Sequence, residues 1–246
     1  LKIKKDKIMA NFPFQRLQAD LAELIKKTPA GQRLPSEPDL AKQLGVSRAT
    51  LREAMRSFET QGLIRRRQGS GTFVVGKVQA LDSGLEVLES LETIAERMGL
   101  EVSISDLNVE SIVADEELSA LLGVPQDANL TRVRRVIRAE SRPVAYLVDI
   151  LPEEILHIKD LPADFHGSVL DCLLERGDLL TSSRANVSAI GASAEVAKPL
   201  EIQRGDVLLH FHAQLFNAEN KIVDYSLSYF IPGYFHFHVV RRVGNG

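Results

Sequence analysis

Apolar positions in the first part of the chain recur at helical spacing in three separate runs. Leu17, Leu21, Leu24 and Ile25 follow Pro13 as one stripe, and Leu40, Ala41 and Leu44 form a second. Leu51, Ala54, Met55 and Phe58 form the third, with the i, i+3, i+4, i+7 rhythm that buries one helix face. Polar and special residues punctuate these runs. Ser36 is a side-chain acceptor ahead of the second, with Asp39 three residues on, and Pro38 falls in the first turn, where a missing amide proton costs least. Gly45 permits the left-handed residue that stops that helix. Ser47 caps the third run, Val46 and Leu51 are spaced as a hydrophobic staple across its start, and Gly62 ends it. Leu63 to Arg67 and Thr72 to Val75 then predict two strands around Gln68-Gly69-Ser70-Gly71, whose glycines permit a hairpin tip.

After Val75 the pattern changes. Gly76 to Ser83 reads as a linker, and Leu85, Leu88, Leu91, Glu92 and Ala95 keep a helical rhythm through Met98 to Gly99. From Glu101 onward strands dominate. Extended segments are expected at Val102–Ala114, Leu130–Ala139, Val144–Leu151, Arg184–Gly191, Val207–Phe216, Ile222–Ile231 and Phe235–Arg241. Helices are expected at Asp115–Leu122, Ser168–Arg176 and Ala192–Leu200, and Arg142-Pro143 as a turn. The predicted class is α+β: a winged helix-turn-helix over residues 1–75, a linker and connecting helix over 76–99, and a largely antiparallel sheet with helices on one side over 100–246.

Charge sharpens this division. The whole chain of 246 residues carries a formal charge of only -3, but residues 1–75 hold 15 Lys and Arg against 7 Asp and Glu, while residues 76–246 hold 15 against 26. A basic head on an acidic body fits a head facing nucleic acid. No apolar run approaches the roughly 20 residues needed to cross a bilayer, and no secretory leader is read, so no membrane partner is expected. The single Cys172 excludes an internal disulfide and agrees with a cytoplasmic location.

On the third helix Arg48, Arg52 and Arg56 recur every four residues as one cationic stripe beside the buried face. Arginines so placed either bind phosphates and guanine edges in a major groove or form an ordinary solvated face. The motifs LPSE, GVSRATLREA and GLIRRRQGSGTFV resemble the N-terminal DNA-binding domain of GntR-family bacterial transcription regulators. That resemblance implies that Ser36, Ser47, Arg48, Thr50 and Arg52 meet the operator, and that Gly69 to Thr72 enter the minor groove or its edge. With Arg56 from the stripe and the neighbouring Gln68, the candidate DNA-binding set is Ser36, Ser47, Arg48, Thr50, Arg52, Arg56, Gln68, Gly69, Ser70, Gly71 and Thr72. Pro38 stands where many members carry a basic residue.

Behind the head, RRVIRAESRPVAYLVDILP, GSVLDCLLERG and KIVDYSLSYF resemble the UTRA effector-binding domain of the HutC subfamily, whose fold is that of chorismate lyase. Strand alternation puts Val133, Arg135, Ile137 and Ala139 on one face, making Arg135 a lone cation among apolar neighbours. If buried, it needs an anion or several acceptors. Ser168 follows Gly167 at a helix start, where free amides attract an anion. The resemblance implies that Arg135 and Ser168 hold the acidic group of a small metabolite, that Asp224 grips ligand hydroxyls, and that Tyr229 lies near a ligand contact, although a regular strand points it away from Asp224. A second family Arg falls at Ile137, which cannot hold phosphate. The plainer readings are that Arg135 pairs with Asp149 or Asp224 and that Ser168 only caps its helix. His210 with His212, and His236 with His238, are two His-x-His pairs able in principle to chelate a metal, but interleaved Phe211, Phe235 and Phe237 make aromatic packing the better account. No metal or cofactor is assigned.

The expectation is therefore a repressor that binds a palindromic double-stranded DNA operator as a homodimer and responds to a small, anionic effector. An alternative is a lyase-like enzyme acting on an aromatic acid, with the head attached for targeting; no nucleophile–base pair or phosphate-cradling glycine loop is evident for it.

Overall fold

The computed structural model describes residues 13–67, 70–75, 81–163 and 165–240. The chain divides into two compact units, Leu1–Ala80 and Leu81–Gly246.

In the first unit the three helical stripes become α1 (Pro13–Lys27), α2 (Glu37–Leu44) and α3 (Arg48–Thr60), followed by the hairpin strands β1 (Ile64–Arg67) and β2 (Gly71–Val74). Leu17, Leu21, Leu40, Leu51, Ala54, Met55 and Ile64 meet in one core, almost wholly buried. Ser36 and Ser47 cap as expected, accepting from the amides of Asp39 and Thr50, and Gly45 is left-handed at φ 66°. Asp39 does not reach back to the backbone of Ser36; its carboxylate accepts a hydrogen bond from the Ser36 hydroxyl at 2.5 Å. The hairpin pairs Ile64 with Val74 and Arg67 with Gly71. A third chain segment flanks it, since the Leu34 amide donates to Thr72 O and the Val74 amide to Gln32 O.

The second unit is built on a six-stranded antiparallel sheet. Its strands are β4 (Val102–Val113), β5 (Asn129–Ala139), β6 (Arg142–Pro152), β7 (Leu180–Gly191), β8 (Val207–Asn217) and β9 (Ile222–Phe230), arranged β4-β5-β6-β9-β8-β7. Helices α4 (Leu91–Arg97), α5 (Glu116–Leu122), α6 (Val169–Arg176) and α7 (Ala194–Ala197) complete it with two short strands, β3 (Leu81–Gly84) and β10 (Phe235–His238).

Four sequence expectations change here. The last segment, expected to finish the large sheet, instead pairs in parallel with β3, whose first three residues, Leu81, Asp82 and Ser83, lie in the stretch read as linker. Alternating burial of Leu81 and Ser83 marks β3 as a true strand. The helix expected from Leu85 begins only at Leu91, because Ser90 caps it by accepting from the Thr93 amide, leaving Leu85 and Leu88 exposed. The hairpin expected to turn at Arg142-Pro143 turns at Glu140-Ser141, both at positive φ, so the strand begins with Arg142. Finally, helices flank both sheet faces. Val169 and Leu173 of α6 pack with Val133, Leu151 and Leu215 on one face, while Gln214, adjacent to Leu215 and so pointing oppositely, donates to Leu121 O of α5 at 2.6 Å.

Candidate functional site

The basic stripe depends on the caps around it. Ser47 fixes the first turn of α3: its hydroxyl accepts from the Thr50 amide at 3.0 Å and shares a 2.8 Å hydrogen bond with the Thr50 hydroxyl, leaving both side chains at an exposed helix start. Arg48 and Arg52 are exposed one turn apart, whereas Arg56 is half-buried and bonded to Glu53 at 3.2 Å. Arg52 Nε lies 2.6 Å from Glu37 Oε2, with more than half of the arginine side chain in solvent. An exposed pair of this kind contributes about 0–1 kcal/mol, so phosphate or a base edge can displace Glu37.

The wing separates its cations into two kinds. Arg66 is tied inward, with Nε 3.5 Å from Glu59 and 3.8 Å from Glu37. Arg67 lies over the Phe73 ring, 5.1 Å from its centre, and keeps its charge exposed. Arg33 reaches the same hairpin: a Cβ on Gly71 would fall 2.4 Å from Arg33 Nε, so glycine, here at φ +110°, is what lets that guanidinium lie against the wing. Neither Arg33 nor Arg67 was singled out from sequence, although Arg67 belongs to the RRR run. Ser70 is exposed, while Gln68 and Gly69 lie outside the described residues. Two expected contacts fare less well. Thr72 is only 6% exposed, because alternation along β2 turns it inward, and the Ser36 hydroxyl is engaged by Asp39.

In the second unit the structure gathers Arg135, Ser168 and Asp224. Arg135 is 5% exposed on β5 and pairs through Nη1 with the Asp149 carboxylate on β6. Its Nε lies 3.7 Å from Glu92 Oε1 on α4. A Cβ on Gly167, at φ +98°, would come within 2.8 Å of Arg135 Cδ, so that glycine lets the start of α6 lie against the arginine stem. Ser168 caps α6, accepting from the Asp171 amide at 3.3 Å. Asp224, also 5% exposed, extends the group from β9, and its carboxyl accepts from the Ile150 amide. Both plainer readings therefore describe part of the arrangement: Arg135 does pair with Asp149, and Ser168 does cap.

Electrostatics makes the group unusual. Burial would lower the Arg135 pKa, but the carboxylates of Asp149, Glu92 and Asp224 overcome that and raise it. Burial, and then the neighbouring Asp149 carboxylate, hold the Asp224 carboxyl well above the usual range. Glu92 was missed as a site residue; the signal was a carboxylate within the apolar rhythm of Leu91, Ile94 and Ala95. Ile137 is fully buried, as its apolar character requires.

Tyr229 does not join the group. On regular β9 it points to the other face, where its ring lies 4.7 Å from His210 and 6.0 Å from Tyr146. His212 bonds to Asn186 at 2.6 Å, and His236 and His238 both approach Asp82 Oδ1, at 3.3 and 3.0 Å. Among the described residues no three His, Cys, Asp or Glu side chains are grouped to hold a metal ion. Among them, too, no helix is long and apolar enough to cross a membrane.

Comparison with known proteins agrees with this division. Residues 13–74 match the gntR family of bacterial regulatory proteins, and residues 97–236 match the UTRA domain. The HTH-type transcriptional repressor NagR of Bacillus subtilis (strain 168) is 30% identical over 178 residues, 72% of each chain. The HTH-type transcriptional regulator Rv0792c of Mycobacterium tuberculosis is 27% identical over 231 residues, covering 92% of this chain and 84% of that one. The crystal structure of PhnF from Mycobacterium smegmatis, 21% identical, superposes with a TM-score of 0.63 over 93% of this chain and 100% of the other, showing a shared fold. NagR and Rv0792c are regulators of transcription, and the enzyme alternative is not favoured. The chain thus belongs to the gntR family of bacterial transcription regulators, with a DNA-binding winged helix-turn-helix followed by an effector-binding UTRA domain.

Proposed function

We propose that the protein is a cytoplasmic homodimeric repressor that reads a palindromic operator with α3 and is controlled by a small metabolite held at Arg135, Ser168 and Asp224. The observation carrying the first half is the exposed pair Arg48 and Arg52, one turn apart on a helix whose capped start is open to solvent. Each α3 lies in a major groove with Ser47, Thr50, Arg48 and Arg52 toward the DNA, and Ser70, Arg67 and Arg33 bring the wing to the flanking backbone. Two heads related by a dyad require half-sites one helical turn, or a multiple, apart.

For the second half, Arg135 Nε is buried without a hydrogen-bond partner, and Gly167, which precedes the Ser168 cap of α6, lies against the arginine stem, bringing the first turn of that helix alongside. Those donors suit an acidic group on the effector. Control then follows if the effector binds two arrangements of the dimer with different free energy.

The test uses operator duplexes selected from a random library. Arg52→Ala lowers affinity about fivefold to 150-fold, as expected for an arginine contact of about 1–3 kcal/mol, while the melting temperature stays close to wild type. Unchanged affinity removes α3 from the groove.

A further inference from the structure

The six-stranded sheet has two edges, β4 and β7, and they are built differently. On β4 the ladder is broken by a bulge between Ser105 and Asn108, with Asp106 left-handed at φ 54°, and the strand carries the charges of Asp106 and Glu110. Bulges and charges of this kind keep a sheet edge from pairing with another chain. Most of β7 has neither. After one irregularity between Leu180 and Ser182 it runs ten residues, Ser182 to Gly191, in unbroken register with β8. Every residue from Arg184 to Ala189 is exposed. Its one charged side chain, Arg184, leans back onto the sheet, donating to Gln214 Oε1 on β8 at 2.5 Å. Among the described residues no strand pairs with the outer side of β7, so the amides and carbonyls on that side have no ladder partner.

Charge narrows what can lie there. Residues 76–246 hold 26 Asp and Glu against 15 Lys and Arg, so two copies of this acidic body repel over most of their surfaces. On that body β7 is a strip without an acid. Two β7 strands laid side by side meet no facing row of like charges.

We propose that β7 is where two copies of the chain join, pairing antiparallel with its own copy about a dyad so that two six-stranded sheets become one of twice six strands. The inference rests on the homodimer proposed above and names its seam. An antiparallel strand pair is self-complementary under a twofold axis, so the contact closes at two copies, and the blunted β4 edges end the joined sheet on both sides. With the overlap centred between Ala185 and Val187, the Leu179 end of each β7 comes to the Gly191 end of its copy, where Val207 stands opposite Gly191 on β8. Leu179, Val187 and Val207 are all large apolar side chains left in solvent in the single chain. The seam gathers them along one line.

The test is the dimer dissociation constant of the full-length protein, measured by analytical ultracentrifugation over a dilution series. Ala185 and Val187 share one strand face, so in the double variant Ala185→Glu, Val187→Glu carboxylates oppose one another whichever residue from 185 to 187 faces its own copy. The constant should rise about tenfold or more. The double variant Ala185→Lys, Val187→Lys should weaken association likewise, and mixing the two variants should restore it, which damaged folding could not do. Val113→Glu, at an exposed position on β4, should leave the dimer unchanged. A dimer that tolerates the paired glutamates, is not restored by mixing, or is lost equally in Val113→Glu overturns the β7 seam and leaves the homodimer standing. A wild-type chain that stays monomeric at concentrations saturating its operator removes the homodimer itself, and the seam with it.

Discussion

Arg52 and Arg135 both pair with a carboxylate, yet they work under opposite physical rules. Arg52 meets Glu37 at the surface, where water screens the pair and either partner can be exchanged for DNA. Arg135 meets Asp149 inside the sheet domain, where each charge depends on the other and exchange requires another buried partner. The first unit therefore carries its proposed DNA contacts outside a conventional apolar core, whereas the second has its proposed effector site within the core. On the proposed function, mutation in the head should separate DNA affinity from stability, whereas in the body effector response and stability should be entangled.

The sharpest way to break this contrast is Arg135→Ala. Removing the cation leaves Asp149 and Asp224 buried together, and the second unit should lose about 3–5 kcal/mol, visible in chemical denaturation as an early transition. A loss as small as that expected for a surface pair would mean that water reaches the group and that the two arginines are alike after all.

A gentler test uses pH. The folded pKa of Asp224 is raised above its unfolded value, so the folded state holds a proton that the unfolded state has released. Its contribution is full below the unfolded pKa, near the ordinary carboxylate value, and is lost as pH rises through the folded pKa. One proton sets a ceiling of about 1.4 kcal/mol per pH unit on that slope. Asp224→Asn should flatten it, raising stability relative to wild type on the alkaline side; denaturation midpoints across the pH range measure this, and parallel curves for the two proteins would count against a buried carboxyl.

The smallest effect belongs to the head. Ser47→Ala removes the acceptor for the Thr50 amide and should cost about 1 kcal/mol, read by thermal melting, with the second unit undisturbed. A loss spread over both units would show that they do not melt separately.

The same contrast explains what the sequence disclosed. Caps, stripes and turns in the head are local devices, and Ser36, Gly45, Ser47 and the run from Leu51 to Phe58 could be placed because each depends on residues three or four positions away. Arg135 and Ser168 were also legible, one as a cation on an apolar strand face and the other as a residue opening a helix. Of their surroundings, Asp149 and Asp224 were named as possible partners of Arg135, while Glu92 was not. Asp149, Glu92 and Asp224 come together only through the strand order β5-β6-β9 and the placement of α4, and nothing in local spacing encodes those long-range pairings. The ribbon of β3 and β10 was misread for the same reason: a four-residue strand whose partner lies some 150 residues away looks like a linker.

That ribbon has a practical implication. Because β3 opens the effector domain and β10 comes at its far end, the two short strands act as a seam between the beginning and the end of the domain's chain. A protease cut or stop codon near Gly233 would unlace that seam without touching the six-stranded sheet, and would leave Leu81–Gly84 without its partner strand.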